Sequence, residues 1–159
     1  MADHVDTILA QWNTQRPDLD CSPMAVIGRL GRAKQIINPK LETVFKSFGL
    51  SNVEFDILAS LRRAGASVTP TDLYQTLMLS SGAMSTRIDG LVKRGLVERH
   101  ASATDRRSCT ITLTTEGIEL IDAAVNAHVE NERAILSPLS LEEQDQLASL
   151  LKKWLIASE

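Results

Sequence analysis

The sequence predicts a mostly helical protein with one small β hairpin past its midpoint. Over most of the chain, apolar residues recur at spacings of three and four, as they do on one face of an amphipathic helix. From Cys109 to Thr114 they instead alternate with polar residues, which is the period of a β strand. Gly95 separates the two patterns, and glycine is the residue that most readily ends a helix at positive φ.

Helix start signals divide the chain ahead of the hairpin into five predicted helices. Ser51 with Glu54 forms a capping box, and Pro23 and Pro70 each stand at a first helical position. The predicted spans are about residues 2–13, 23–48, 51–63, 70–77 and 80–94. Pro39 lies inside the second span and removes one backbone donor, so we expect a kink there or two helices in series.

Two more helices are predicted after the hairpin. Thr114 caps the first, which runs to about Ser137 and is broken by Pro138, and Ser140 with Glu143 forms a capping box for the last. These two helices and the first two carry apolar stripes that are large for a small domain to bury by itself. We therefore expect all four to pack against a second copy of the chain in a symmetric homodimer.

The centre of the chain has the element order of a winged helix-turn-helix: two short helices, then a hairpin. The second helix starts with small and hydroxylic residues, which let a helix enter a major groove, and the hairpin tip carries guanidinium groups that can reach a minor groove. The DNA contacts predicted on this basis are Ser80, Ser81, Ala83, Met84, Thr86, Arg87, Arg106 and Arg107. Met84 has a second interpretation as a core residue, and the tip acid Asp105 is expected to pair with an arginine.

The distribution of charge favours the same lobe. The whole chain has a net charge of -3, which by itself argues against a nucleic-acid partner. Between Ser80 and Thr110, however, six basic residues stand against three acidic ones, so this stretch carries +3 and the rest of the chain -6. The six are Arg87, Lys93, Arg94, Arg99, Arg106 and Arg107. Attraction to phosphate is therefore expected from this lobe alone.

Composition excludes several other classes. With 159 residues, 43% of them hydrophobic, the chain suits one globular domain, and no apolar run approaches the roughly 18 residues of a membrane span. The N-terminus lacks a secretory pattern, so a cytoplasmic location is expected. Cys21 and Cys109 have no metal-ligand spacing, and no phosphate loop, nucleophile elbow or paired carboxylate motif is present. We expect neither a metal, a cofactor nor an enzymatic activity.

The predicted organisation is one winged-helix domain over residues 1–159. Its DNA-reading lobe spans about residues 51–114, and dimerisation helices flank it at about 3–48 and 115–157. Such a dimer would place its two reading helices in successive major grooves, roughly 34 Å apart.

The wing and the helix before it resemble those of a known family. The wing residues are Asp105, Arg106 and Arg107, followed by Ile111, Leu113, Thr114, Thr115 and Gly117. They resemble the wing signature of the MarR-type bacterial transcription regulators, and SSGAMSTRIDGLVKRGLVER is similar to that family's recognition helix and first wing strand. The resemblance implies a cytoplasmic homodimer that represses genes by binding short DNA palindromes and is released by small ligands or oxidation. It places the family's wing arginine at Arg107.

A finer resemblance concerns the effector. PMAVIGRL, after a helix that bears a tryptophan, and FDILASLRR are similar to the branch of the family that responds to urate and related anions. The resemblance implies a small aromatic or anionic effector bound by Trp12, Asp56, Arg87 and Arg99. Arginine forks match planar anions, an indole can cover a flat ring, and a carboxylate near an incoming anion would be repelled and move its helix.

Simpler interpretations of these residues stay open. Asp56 lies beside an apolar face, where a salt bridge to Arg87 or Arg99 would compensate its charge, and Trp12 suits a core or an interface. Two other functions also stay open for the chain. One is a winged-helix module that binds an acidic protein surface, and the other is an oxidant sensor based on Cys21.

Overall fold

The computed structural model describes residues 1–77, 81–101 and 109–158. These residues form seven helices and two strands, which confirms the predicted fold class. In chain order they are α1 (His4–Gln15), α2 (Pro23–Ser47), α3 (Asn52–Ala64), α4 (Pro70–Leu77), α5 (Ser81–Lys93), β1 (Val97–Ala101), β2 (Cys109–Leu113), α6 (Thr115–Leu136) and α7 (Leu141–Ile156). None of the described helices combines the length and the apolar character that a bilayer crossing requires.

The chain divides into two compact units, Met1–Lys40 and Leu41–Glu159. The boundary lies one residue after Pro39, inside α2. This helix continues through the proline as a single element, so the expectation of two helices in series is wrong. A proline inside a helix removes one backbone hydrogen bond, and the 25 residues of α2 form one helix despite that loss.

In the first unit, α1 is tied to α2 near its start. Asp3 caps α1 and forms a capping box with Asp6, and the Arg29 guanidinium pairs with both carboxylates at 2.8 and 2.7 Å. Val5 is buried against Gly28, where an added Cβ would lie 3.3 Å from the valine side chain. A small residue in α2 therefore lets the two helices approach closely.

The second unit has a continuous hydrophobic core. Helix α3 contacts α4, α5, α6 and β2, and α5 also contacts α4 and β1. The largest fully buried side chains are Leu50, Ile57, Leu58, Leu73, Met84, Ile88, Leu91, Ile111, Ile121 and Val97. Most of them come from the reading lobe, so this lobe is held by its own core.

The predicted helix boundaries are reproduced by the capping geometry. Ser51 with Glu54 and Ser140 with Glu143 both form reciprocal capping boxes, and Thr114 caps α6. Gly95 has φ of +69°, as expected for a glycine that ends a helix.

The wing is an antiparallel pair with Val97 opposite Leu113 and Arg99 opposite Ile111. A third segment adds to it at Val68, whose amide and carbonyl exchange hydrogen bonds with Ile111 at 3.0 and 2.8 Å. This bridge was not predicted, because one paired residue between two helices leaves no periodic pattern. It fixes the base of the wing to the loop between α3 and α4.

The start of α6 is joined to the turn before the wing. The Thr114 hydroxyl donates to the carbonyl of Gly95 at 2.7 Å, and the Thr114 amide donates to the carbonyl of Leu96 at 3.2 Å. A Cβ on Gly117 would lie 2.0 Å from the Leu96 carbonyl oxygen, so only glycine fits at this position. The threonine and glycine of the wing signature are thus explained by packing.

Candidate nucleic-acid interface

Helix α5 has one buried face and one exposed polar face. Met84, Ile88 and Leu91 point into the core, whereas Thr86 and Arg87 are exposed. The side chain of Met84 is only 1% exposed and does not reach a base edge. Its prediction as a DNA contact is therefore wrong, and the alternative interpretation as a core residue is correct.

The exposed face of α5 carries the groups that a groove-binding helix needs. The Thr86 hydroxyl donates to the carbonyl of Gly82 at 3.2 Å, which leaves its lone pairs available as acceptors. Arg87 lies on the same exposed face, one position further along. Ser81 is the first residue of α5 and Ala83 lies in its first turn, so both belong to the helix start, as predicted.

The remaining predicted contacts, Ser80, Arg106 and Arg107, lie outside the described residues and stay predictions, as does the pairing of Asp105. The strands that lead to and from the wing loop are described, and β1 packs against α5. Reading helix and wing base therefore form one packed structure.

An ion pair links this wing base to the reading helix. The Arg99 guanidinium on β1 lies 2.8 Å from a carboxylate oxygen of Asp89 on α5, and both side chains are partly exposed. Arg99 was predicted as an effector ligand, and Asp89 was assigned no role. An anion that binds Arg99 would have to compete with Asp89 for the same guanidinium.

A second ion pair holds the far end of α5. The Arg94 guanidinium lies 3.3 Å from one oxygen of Glu54, whose other oxygen accepts hydrogen bonds from the amide and hydroxyl of Ser51, both at 2.8 Å. Burial alone would raise the pKa of Glu54, but the hydrogen bonds from Ser51 and the charges of Arg94 and Arg87 hold the pKa below its usual value.

Asp56 is not paired with either predicted arginine. Among the described ion pairs, Arg99 is engaged by Asp89, and none includes Asp56, so the expected salt bridge to Arg99 or Arg87 is wrong. Burial raises the pKa of Asp56, and the charges of Arg63 and His128 oppose this rise only in part. Asp56 is an exposed residue, so solvent rather than an arginine compensates the rest of its charge.

Next to this carboxylate lies an aromatic cluster. The ring centroid of His128 lies 5.2 Å from that of Phe45 and 5.1 Å from that of Phe55. Its Nε2 lies 3.1 Å from Glu132, while within the described part of the chain its buried Nδ1 has no hydrogen-bond partner. The two phenylalanine rings stack on each other with their centroids 4.1 Å apart, and the histidine ring packs beside this stacked pair.

The four predicted effector residues are divided between the two units. Trp12, which is 40% exposed, belongs to the first unit. Asp56, Arg87 and Arg99 belong to the second unit, on α3, α5 and β1. The assignment of a common ligand to these four side chains stays a prediction.

Cys21 is buried in the first unit, with 4% of its surface exposed, and both cysteines are free thiols. Oxidants react with exposed thiolates, so burial does not favour the alternative of a Cys21 sensor.

Sequence reasoning missed three site residues: Glu54, Asp89 and Arg94. Glu54 was recognised as a cap, but a capping box gives no sign that its carboxylate also binds a distant arginine. The two pairs span 40 and 10 residues of sequence, so no helical or strand periodicity connects their members.

A helix-turn-helix with an exposed polar second helix and a basic hairpin wing defines a class, the winged-helix transcriptional regulators. Residues 48–108 match the model for the MarR family. The transcriptional regulator PecS of Dickeya dadantii is 46% identical over 149 residues, which cover 92% of this chain and 90% of that protein. The multiple antibiotic resistance protein MarR of Escherichia coli is 30% identical, over 78% of this chain and 89% of that protein. The chain belongs to the MarR family.

A solved structure agrees with this assignment. A mutant MarR from E. coli, crystallised in complex with operator DNA, superposes with a TM-score of 0.72 at 27% identity. The match covers 91% of this chain and 97% of that one.

Proposed function

We propose that this transcriptional regulator is a repressor that binds a short palindromic DNA site as a homodimer, with α5 in the major groove and the wing at the adjacent minor groove. The observation that carries this proposal is the division of α5 into a core face and a polar face. The core face fixes the helix on the lobe, so Thr86 and Arg87 are free to meet DNA. A relative of the same fold that was crystallised in complex with operator DNA supports DNA binding by this chain.

The homodimer follows from apolar surface that the single chain leaves open. Helix α7 has no buried residue, and Leu150 and Trp154 on one of its faces are 67% and 52% exposed. An apolar face of this size on a helix is typical of an interface, and two copies related by symmetry would cover it mutually. This dimer would present two α5 helices to two half-sites.

The test is titration of a fluorescent duplex from the chain's own promoter region with wild type and Arg107→Ala. We expect the variant to bind about tenfold more weakly and to lose part of the dependence of affinity on salt, because each phosphate contact releases counterions. Arg62→Ala is the matched control, since Arg62 lies in the same lobe but is engaged by Asp122 at 2.7 Å.

Failure of the wild type to bind any palindrome at low salt would contradict the proposal. Capture of a protein partner that DNA does not compete away would instead support the alternative, a protein-interaction module.

The proposed effector is a small planar anion that binds through Arg99, with Trp12, Asp56 and Arg87 as further contacts. The anion would take the Arg99 guanidinium from Asp89 and thereby break the ion pair between the wing base and α5. Because effector and operator would then favour different arrangements of one lobe, binding of either one lowers affinity for the other.

We place the protein in the cytoplasm and assign it no catalytic activity.

A thermal-shift screen with urate, salicylate and related aromatic anions tests the effector. We expect a stabilising compound whose effect is lost in both Arg99→Met and Trp12→Phe. If these variants respond as the wild type does, the assignment of the pocket is wrong.

A further inference from the structure

Besides its buried apolar face, helix α5 has a polar contact with the rest of its lobe at one acidic residue, Glu54. Arg94 directly follows the last residue of α5, and its guanidinium lies 3.3 Å from Glu54 at the start of α3. The terminal nitrogen Nη2 of Arg94 also lies 3.7 Å from the Cβ position of Gly49, in the turn before α3. The C-terminal end of α5 thus rests on the junction between α2 and α3.

Glu54 is a rigid point of attachment. Its second carboxylate oxygen is held by the amide and hydroxyl of Ser51, and its helix is anchored by Ile57 and Leu58, which have no exposed surface. The Glu54 side chain is also the least exposed carboxylate among the described pairs, at 15%. The acid therefore has little freedom to follow a moving arginine.

A second arginine of the same helix face acts on this acid. Arg87 lies seven residues before Arg94, and positions seven apart in an α-helix lie on the same face two turns apart. The charge of Arg87 reaches Glu54 strongly enough to help lower the pKa of Glu54. Arg94 thus pairs with Glu54 directly, whereas Arg87 acts on Glu54 through its charge alone and forms no ion pair with it among the described pairs.

The angle of α5 affects DNA recognition, because a small tilt of a helix of this length moves its N-terminal end by about the rise of one base pair. Its 13 residues span about 20 Å, so a tilt of about 10° around the C-terminal end moves its first residue by about 3 Å. Even a fraction of that shift misplaces the residues that would meet base edges.

We infer that Glu54 is a positioning residue for DNA recognition, because its pairing with Arg94 sets the angle at which α5 enters the groove. This inference rests on the proposed binding of DNA by α5, and Glu54 itself does not touch DNA.

The variant Glu54→Gln separates positioning from plain electrostatics, because the two predict opposite signs. Glutamine still serves in a capping box, so α3 keeps its start, but Arg94 loses its charged partner. Removal of a negative charge near DNA would by itself tighten binding. Loss of positioning would instead weaken DNA binding. We expect a decrease of about 2- to 30-fold, because the dimer loses one partly exposed ion pair in each subunit.

The matched control is Asp122→Asn, which also removes one negative charge and one ion pair, in this case the pair between Asp122 on α6 and Arg62 on α3. We measure affinity for the operator and for duplexes whose half-site spacing is changed by one base pair. We expect Glu54→Gln to weaken operator binding and to reduce the preference for the native spacing, Arg94→Lys to retain part of both, and Asp122→Asn to retain both.

If Glu54→Gln binds the operator as tightly as the wild type or more tightly, with the native spacing preference, the inference is wrong. Absence of operator binding by the wild type would overturn the proposed function, and this inference with it. Circular dichroism and thermal unfolding of each variant report whether the lobe is folded. If the Glu54→Gln variant does not fold, the Arg94→Lys variant provides the second test.

Discussion

The reading lobe and helix α7 bury very different fractions of their apolar residues. In the lobe, Ile57, Ile88 and Ile111 have no exposed surface, whereas α7 has no buried residue at all. The helices of the lobe and α7 have the same amphipathic pattern in sequence, with apolar residues at spacings of three and four. The pattern shows that the apolar face of a helix will be buried. It does not show whether that face is buried against the same chain or against another copy.

The difference separates two kinds of stability. The lobe core is formed by residues of one chain. Its contribution to the free energy of unfolding therefore does not depend on protein concentration. The α7 face gains its burial only on association, and the free energy of that step depends on concentration. Breaking each region should therefore give a different signature.

The largest effect is expected from the lobe core. Ile57→Ala removes a fully buried side chain and leaves a cavity, so we expect the free energy of unfolding to fall by about 2–5 kcal/mol. Urea denaturation at several protein concentrations measures it, and the loss should be the same at each. Leu141→Ala, on an 80% exposed residue, serves as the control and should change little. If the loss of unfolding free energy disappears at high protein concentration, the stability of the lobe core depends on a second chain, which would contradict this prediction.

The next effect concerns the α7 face. Trp154→Lys places a charge in the apolar stripe, and we expect the homodimer to dissociate about 30-fold or more readily, as for a buried aromatic residue at an interface. Sedimentation velocity over a dilution series measures the shift, and near-wild-type helicity shows that the lobe stays folded. Leu141→Lys changes an exposed leucine about a third of a turn away from the stripe and should remain dimeric. Equal dimerisation of both variants would place the interface elsewhere.

A smaller effect is expected at the pair between wing and reading helix. Asp89→Asn removes the competitor for Arg99, and we expect the affinity for an anionic effector to rise about 2- to 5-fold, which is the range for a partly exposed ion pair. Isothermal titration with the compound from the thermal-shift screen measures it. Glu98→Gln, at the neighbouring position of β1, should leave the affinity unchanged. A decrease in Asp89→Asn would mean that Asp89 assists binding.

The smallest effect is the pH dependence of two carboxylates with opposite shifts. The pKa of Asp56 is raised, mainly by burial, so its charged form costs stability as pH rises from about 3.8 through the raised pKa. The pKa of Asp122 is lowered, mainly by its hydrogen bond from Arg62, so its stabilisation is present above 3.8 and is lost as pH falls through the lowered pKa. At neutral pH, Asp56→Asn should raise the melting temperature slightly and Asp122→Asn should lower it. Thermal unfolding from pH 3 to pH 8 tests this, and shifts of the same sign would contradict it.

Most of the fold was predictable because its signals are local. Capping boxes, prolines and Gly95 act within one turn of chain, so helix starts and ends could be located from neighbouring residues alone. The bridge between Val68 and Ile111 was not predictable in this way, because it depends on two segments that meet only in the folded lobe.

The site was predictable to a lesser degree for a related reason. A helix start with small and polar residues is visible in sequence, but which of its faces the core takes is decided by packing, as the burial of Met84 shows. Ion-pair partners were assigned least successfully. The charges of Asp56 and Arg99 suggested a pair, yet the fold brings Asp89 to Arg99 instead.

The central claim is that two copies of this chain bind one palindrome, joined through helices outside the reading lobe. Sedimentation equilibrium of the chain with a labelled full-palindrome duplex tests it most directly. We predict two chains per duplex at saturation, and for Trp154→Lys a much weaker, stepwise association with the same duplex. Saturation at one wild-type chain per full palindrome, with the same affinity for an isolated half-site, would contradict the claim.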